Sequence, residues 1–589
     1  MNPEVLLTHF DRISDAPGAI SRFRKFVIDL AVRGKLVEQD PKDDPAAELV
    51  EQVNAEWQRR RSEGLIKNDK LPREIRETEG PYSLPKSWQW IRLGDCLEMI
   101  NGRAFKPTDW LPVGLPIVRI QNLNTENAPF NYCDESTIEQ RHIIQSGCFL
   151  ISWSGTPGTS FGAFIWQRGK AALNQHIFKC ILIGGAYYDR FLQIAINGRL
   201  DEMIAKAHGG VGLQHITKGK LENLLLSLPP LAEQHRIVAK VDELMALCDQ
   251  LAAARKEREM RRDHLAAASH HRLNNGSNPE AFRQDATFYF GHLPRLILRP
   301  EQIKPLRQTI LNLAVRGYLV LQDPNDEPVS RLLMRIRSEK TELLGARALE
   351  RESSESSLSK DDLPFSLPST WQWEPLQCVI VFGPQNGISP KPSSQPDAPR
   401  AITLTATTKG TFDSRFFKRV DASIPLDSEF WLRSGDLLFQ RGNTREYVGM
   451  AAYYTGEPGV FLYPDLMMKV RVSGEVSLRY IHLCSVAPYS RNYFSTRASG
   501  AQSTMPKVNQ CTLLKLPIPL PPLAEQNRIV AKVEELMTLC DRLEVQLANA
   551  KTETSGLLES VLHHALKETE EEVVPPVVPT IVAAVSSLR

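Results

Sequence analysis

Residues 228–251 read LPPLAEQHRIVAKVDELMALCDQL, and residues 520–543 read LPPLAEQNRIVAKVEELMTLCDRL. Twenty of the 24 positions are identical, at a constant offset of 292. Pro229-Pro230 and Pro521-Pro522 suit an irregular approach that stops just before a helix begins. Apolar side chains then recur at Ile237, Val241, Leu244, Cys248 and Leu251, and at Ile529, Val533, Leu536, Cys540 and Leu543, in steps of four and three. That rhythm predicts an a/d seam and a coiled coil. Continued to about residues 268 and 566, each helix would be a rod of roughly 55–60 Å. The two rods are expected to pair antiparallel and to bury their seams against each other. Glu233-Gln234 and Glu525-Gln526 are expected to organise the first helical turn, where negative charge is favourable.

Working outward, a second repeat precedes the first. LAVRGKLV at 30–37, followed by Gln39-Asp40-Pro41, returns as LAVRGYLV at 313–320, followed by Gln322-Asp323-Pro324. At the same offset of 283, SLPKSWQW at 83–90 returns as SLPSTWQW at 366–373. The chain is a tandem duplication. Each half has a helical entry, a Trp-rich doorway, a divergent stretch and a rod. Trp88, Trp90, Trp371 and Trp373 are read as packing residues of this frame.

The expected class is α+β: two mixed α/β domains separated by two long helices in an antiparallel coiled coil, with an internal pseudo-two-fold. The expected division is a helical region at 1–90, a mixed domain at 91–227, a helical region with the first rod at 228–365, a second mixed domain at 366–519, the second rod at 520–567 and an acidic, Pro-rich disordered tail at 568–589. Strands are predicted at 115–123, 146–154, 161–166 and 177–183, and at 400–408, 434–442, 448–454 and 466–472. One helix is predicted in each domain, at 188–205 and 477–496.

Composition sets bounds. A chain of 589 residues has a length prior of about four domains. Net charge is only +2, so charge alone does not announce a nucleic-acid binder. Nine cysteines without CxxC suit a reducing cytoplasm. No membrane span or signal peptide is expected. The basic run at 255–262 reads as a solvated helix face, and the His270-His271 and His563-His564 pairs as surface residues.

Two similar frames with dissimilar inserts imply one job done in two versions. For duplex DNA, modules related by a two-fold can read two half-sites, and unlike inserts would make the site asymmetric and bipartite. The alternative is a non-DNA scaffold whose coiled arms hold two protein partners.

LPPLAEQHRIVAKVDELM and its second copy, with the LAVRGKLVEQDP entry, the SLPKSWQW–RLGD doorway and Asn174-Gln175-His176, resemble the specificity (S) subunits of type I restriction–modification systems over about residues 20–565. The resemblance implies two target-recognition domains, each reading half of a split site in double-stranded DNA. It implies helices that act as a ruler and dock two methyltransferase (M) subunits and, through them, restriction (R) subunits. It implies no catalysis in this chain, with S-adenosylmethionine, ATP and Mg on the partner subunits. The residues agree. The sequence has no GxxxxGK[ST] loop and no Asn-Pro-Pro-aromatic motif, and Gly209-Gly210-Val211-Gly212 follows a predicted helix, not a strand. No metal ligand set is evident, and no catalytic residue is assigned.

Base readout needs Arg, Lys, Asn, Gln, Ser or Thr on exposed loops. In the first domain the candidates are Arg103 and Lys106 after the doorway, Arg119, Gln121 and Asn122 at a strand end, Asn174, Gln175 and His176 in an interrupted apolar pattern, and Lys206, His208, Gln214, His215, Lys218 and Lys220 around a glycine run. In the second they are Lys409, Arg415, Lys418 and Arg419, then Arg441, Asn443, Thr444 and Arg445, then Arg497, Gln502, Ser503 and Lys507.

Overall fold

The computed structural model describes residues 13–64, 75–76, 79–155, 161–199, 214–275, 279–344, 358–359, 363–499 and 505–567. The chain divides into two units. Residues 1–258 form the first together with 551–589, and residues 259–550 form the second. The predicted rods are single helices, Leu231–Asn275 and Leu523–Lys567, each of 45 residues and starting directly after the paired prolines. Each therefore starts in one unit and ends in the other.

That exchange changes the expected seam. Ile237, Val241 and Leu244 lie in the core of the first unit with Leu558, Val561, Leu562 and Ala565 from the end of the second rod. Ile529, Val533 and Cys540 lie in the core of the second unit with Leu273 from the end of the first, and Leu536 and Leu543 pack against it half-buried. Cys248 is buried and Leu251 half-buried. Start meets end, as an antiparallel arrangement requires, so each matched seam packs in its own unit with the end of the other rod. A third helix covers each pairing. In the first unit it is Ala19–Val32: Arg22 donates to the Ser555 carbonyl at 3.1 Å, and Arg24 pairs with Asp249. In the second it is Ile303–Val315: Arg307 bridges Asp541 and Glu544, and Thr309 meets His270 at 2.7 Å. His270 is thus half-buried, and burial lowers its basicity; it is not the surface residue expected. Arg255 also departs from a solvated face, donating to the Ser14 and Ala16 carbonyls.

The repeated residues make the same lock twice. Glu233 accepts from the Trp88 indole at 3.0 Å and from Gln39 at 2.6 Å. Glu525 accepts from Trp371 at 3.0 Å and from Gln322 at 3.4 Å. Gln234 and Gln526 each donate to the carbonyl five residues earlier and accept from a backbone N–H of the mixed domain, Tyr188 and Ser477 respectively. Arg236–Asp43 and Arg528–Asp326 close both locks. So Glu233 and Glu525 join entry, doorway and rod. Burial pushes the Glu233 carboxyl up to about 7 and also raises Glu525, outweighing the donors that favour the charged form. The entry glycine is equally specific. Gly34 has φ +71°, and a Cβ there would stand 2.5 Å from Pro85 Cγ; Gly317 has φ +76° and would stand 2.6 Å from Pro368 Cγ.

An antiparallel ribbon carries the chain into and out of each mixed domain: Gln89–Arg92 pairs with Leu225–Leu228, and Gln372–Pro375 with Pro517–Leu520. Among the described residues each domain then holds two four-stranded sheets, and the first also a short pairing of Ser154–Gly155 with Gln214–His215. In the first domain the order Leu97–Asn101, Ile177–Leu182, Phe149–Ser152, Gly162–Ile165 is antiparallel. The other sheet runs Asn131–Cys133, Leu115–Val118, Ala171–Leu173, Ile143–Ile144, with its central pair parallel. The second domain repeats the first sheet with Ile380–Asn386, Met467–Val472, Leu437–Gln440 and Ala451–Tyr453. Its other sheet runs Lys391–Pro392, Phe417–Asp421, Arg400–Ile402, Phe461–Leu462.

Two predicted strands end early. Leu115–Val118 gives way to the helix Ile120–Asn124, and Arg400–Ile402 to the 3-10 turn Leu404–Thr407. The predicted single helix at 477–496 is two, Leu478–Val486 and Pro488–Arg497, because Pro488 cannot continue the first. Among the described residues no helix is long and apolar enough to cross a membrane.

Candidate DNA interface

In each mixed domain the chain passes from one sheet to the other at a tight corner, and the predicted residues gather there. In the first unit the corner is Asn174–His176. The Ile177 N–H donates to the Asn174 carbonyl at 3.1 Å, and the Asn174 N–H to the Val118 carbonyl at 3.1 Å, which brings in Arg119. Arg103 N–H donates to the Leu173 carbonyl at 2.8 Å. Gly102 permits this approach, since a Cβ there would stand 2.2 Å from the Asn174 carbonyl oxygen. Trp153 N–H donates to the His176 carbonyl at 3.4 Å, and Ser154–Gly155 pair with Gln214–His215. Lys218 reaches the Met99 carbonyl at 2.9 Å. Arg103, Arg119, Asn174, Gln175, His176, Gln214, His215 and Lys218 thus share one edge.

The second unit builds the same edge with the same backbone bonds. Arg441 N–H donates to the Leu466 carbonyl at 2.7 Å, and Val508 N–H to the Arg441 carbonyl at 2.8 Å. Their equivalents are Trp153 to His176 and Ile216 to Trp153. Gly442 and Ser499 both bridge Lys507. Asn443 donates to the buried Gln440 at 2.6 Å, and Gln440 to Thr407 at 2.8 Å, which ties the exposed Lys409 two residues further on to this edge. Thr444 and Arg445 are exposed, and Arg445 donates to the Ser495 carbonyl at 3.2 Å. Arg497 lies over the Tyr493 ring, 4.2 Å from its centroid.

Backbone equivalence pairs the side chains of the two edges. Trp153 stands where Arg441 stands, Asn174 where Pro464 does, His176 where Leu466 does and Arg103 where Ile388 does. The scaffolds match and the presented chemistry does not.

Several predicted residues fall elsewhere. Asn122 is 1% exposed; its Oδ1 accepts from Arg119 N–H at 3.0 Å, and its Nδ2 donates to the Ala128 and Pro129 carbonyls. It closes a loop from the buried side of the helix Ile120–Asn124, so it is a structural residue and not a base reader. Gln121 is on the exposed side of that helix, not at a strand end. Lys106 is exposed on the loop before Asp109, and Lys220 lies half-buried in the helix Lys218–Glu222. Arg415 is paired with Asp413, whose carboxyl it holds down at about 2. Lys418 and Arg419 lie on Phe417–Asp421 of the second sheet, where Arg419 donates to the Ala398 carbonyl at 3.0 Å. Lys206, His208, the run at 209–212, Gln502 and Ser503 lie outside the described residues, as does the tail 568–589.

Trp153 and Gln440 went unmarked in the sequence. The signal for both was the Ser-Gly entry at 146–154 and 434–442, which aligns Ser152 with Gln440 and Trp153 with Arg441. Among the described residues no group of three or more His, Cys, Asp or Glu side chains is placed to hold a metal ion. The edges offer hydrogen-bond donors, cations and rings, the repertoire of DNA readout.

Comparison with known proteins gives the family. The sequence model of the type I restriction modification DNA specificity domain matches residues 85–259 and 414–550, more than half of the chain. The specificity subunit of the Escherichia coli type I restriction enzyme EcoEI is 27% identical over 558 residues, covering 93% of this chain and 94% of that protein. The EcoAI specificity subunit of the same organism is 26% identical over 565 residues, with coverage of 93% and 94%. The StySPI subunit of Salmonella potsdam is 29% identical over 509 residues, with coverage of 82% and 89%. Among solved structures, the HsdS subunit from Thermoanaerobacter tengcongensis aligns over 83% of this chain and 99% of its own, at 18% identity and a TM-score of 0.41. The chain belongs to the type I restriction–modification DNA specificity family, as a target-recognition subunit and not a catalytic one.

Proposed function

We propose that the chain reads an asymmetric, bipartite site in double-stranded DNA, one half with the edge around Trp153 and Asn174 and the other with the edge around Arg441 and Lys507. The observation that carries this reading is the mismatch of side chains on matched backbones. Equal scaffolds give equivalent docking on a duplex, and unequal side chains select different bases. The two rods set the gap between the halves and present surfaces to two methyltransferase subunits, through which restriction subunits join. Methyl donor, ATP and Mg act on those partners, in the cytoplasm. The target bases leave the stack to be methylated, so the duplex is distorted in the complex.

Arg441→Ala tests the assignment. A bidentate arginine–guanine contact discriminates by about 1–3 kcal/mol. Methylation by the complex should therefore relax by about fivefold or more at one position of one half-site, leaving the other half unchanged. Equal loss in both halves would refute two independent readers.

A further inference from the structure

The loop of residues 104–114 brings three large apolar side chains to the surface of the first unit: Trp110 and Leu111, each 43% exposed, and Val113, 81% exposed. The loop is pinned at both ends of this tip. Asp109 accepts from Lys106 N–H at 2.8 Å, and Leu111 N–H donates to the Tyr132 carbonyl at 2.9 Å. Cations lie beside the tip. Arg103 pairs with Asp109 at 3.8 Å and donates to the Thr137 carbonyl at 2.9 Å, Lys106 is exposed on the same loop, and the Arg119 guanidinium carbon lies 5.9 Å from the Trp110 ring centroid. No described residue accepts from the buried Nε of Arg119. Arg103 and Arg119 are joined through the backbone to the Asn174 corner, so the tip adjoins the reading edge. The equivalent loop of the second unit, residues 389–399, reads SPKPSSQPDAP and has no aromatic residue and no Leu, Ile, Val or Met.

We propose that Trp110, flanked by Leu111 and Val113, is a wedge that enters between stacked base pairs in the half-site read by the first unit, with Arg103, Lys106 and Arg119 holding the phosphates on either side. The inference rests on the reading of this domain as a DNA reader. An apolar tip with cations beside it is complementary to a duplex, whose stacked bases are apolar faces between two anionic strands. Unstacking a step is costly, and the cost is offset by burial of the ring and by the wider contact that a bent duplex makes. The equivalent loop of the second domain carries no such side chain, so this wedge belongs to the half-site of the first unit.

The test uses the full chain with its methyltransferase partner. The probe is a duplex carrying the site mapped by methylation sequencing, with 2-aminopurine placed in turn at each position except the methylated bases. The expected result is a several-fold rise in fluorescence at one step of the first half-site and no rise in the second. Trp110→Ala should abolish the rise, with binding weakened several-fold but the mapped duplex still preferred over a scrambled one, and Trp110→Phe should keep most of the rise. A rise that survives Trp110→Ala, or no rise with the unaltered protein, overturns the wedge and leaves the reader standing. So does Trp110→Ala weakening methyltransferase binding but not DNA distortion. No preference of the unaltered complex for the mapped duplex over a scrambled one overturns the reader, and the wedge with it.

Discussion

Replacing Glu233 with Gln should remove a pH dependence from the stability of the first unit. Glu233 is 1% exposed, and burial pushes its carboxyl from the ordinary 4.5 up to about 7. A carboxyl raised in the folded state favours folding while it is protonated. Its contribution is therefore fully present below pH 4.5 and is lost as pH rises through about 7. A gap of about 2.5 units at about 1.4 kcal/mol each bounds the loss at roughly 3 kcal/mol. Glutamine keeps a carbonyl oxygen to accept the Trp88 N–H and carries no charge at any pH. The variant should match or slightly trail the natural protein at pH 5 and exceed it at pH 8. Hydrogen exchange reads this directly, in peptides covering residues 30–40 and 231–241, after correction for intrinsic rates. Glu525→Gln should act in the same direction on the second unit, where the carboxyl is also raised. A difference between variant and natural protein that stays constant from pH 5 to pH 8 would refute the argument.

Asn122→Ala should lower the stability of the first domain by about 1–3 kcal/mol, because it leaves the Arg119 N–H and the Ala128 and Pro129 carbonyls without their partner. Urea unfolding should report that loss with base preference unchanged; altered preference at full stability would make Asn122 a reader after all. Matched heptads inserted after Leu251 and Leu543 keep the seam in phase and add about 10 Å of rise to each rod. The permitted gap between half-sites should lengthen by roughly three base pairs. Activity retained at the old gap would remove the ruler.

The frame was legible because its signals are local and occur twice. Helical periodicity from Ile237 onward and the paired prolines located both rods, and the Trp-rich doorways gave the entry to each mixed domain. What the frame residues contact was not legible. Glu233 was placed by helix-terminus electrostatics, but its partners Gln39 and Trp88 lie 194 and 145 residues away in sequence. The partner of each seam was not legible for a similar reason: periodicity shows which face of a rod is apolar, not which stretch of another helix covers it. Among the candidate residues, Arg441, Asn443 and Lys507 lie together at one edge. Asn122 is at no such edge, because one turn of helix after Val118 rotates it inward, and a lone polar residue carries no mark of that rotation. Trp110 was passed over because a single Trp near a strand usually reads as core.

Methylation sequencing of a host carrying this chain with its methyltransferase partner tests the central claim most directly. The account predicts a single motif of two unlike specified parts separated by a fixed unspecified gap, with one part alone relaxed by Arg441→Ala. A contiguous motif, a palindrome, or two halves changed together by that substitution would contradict it.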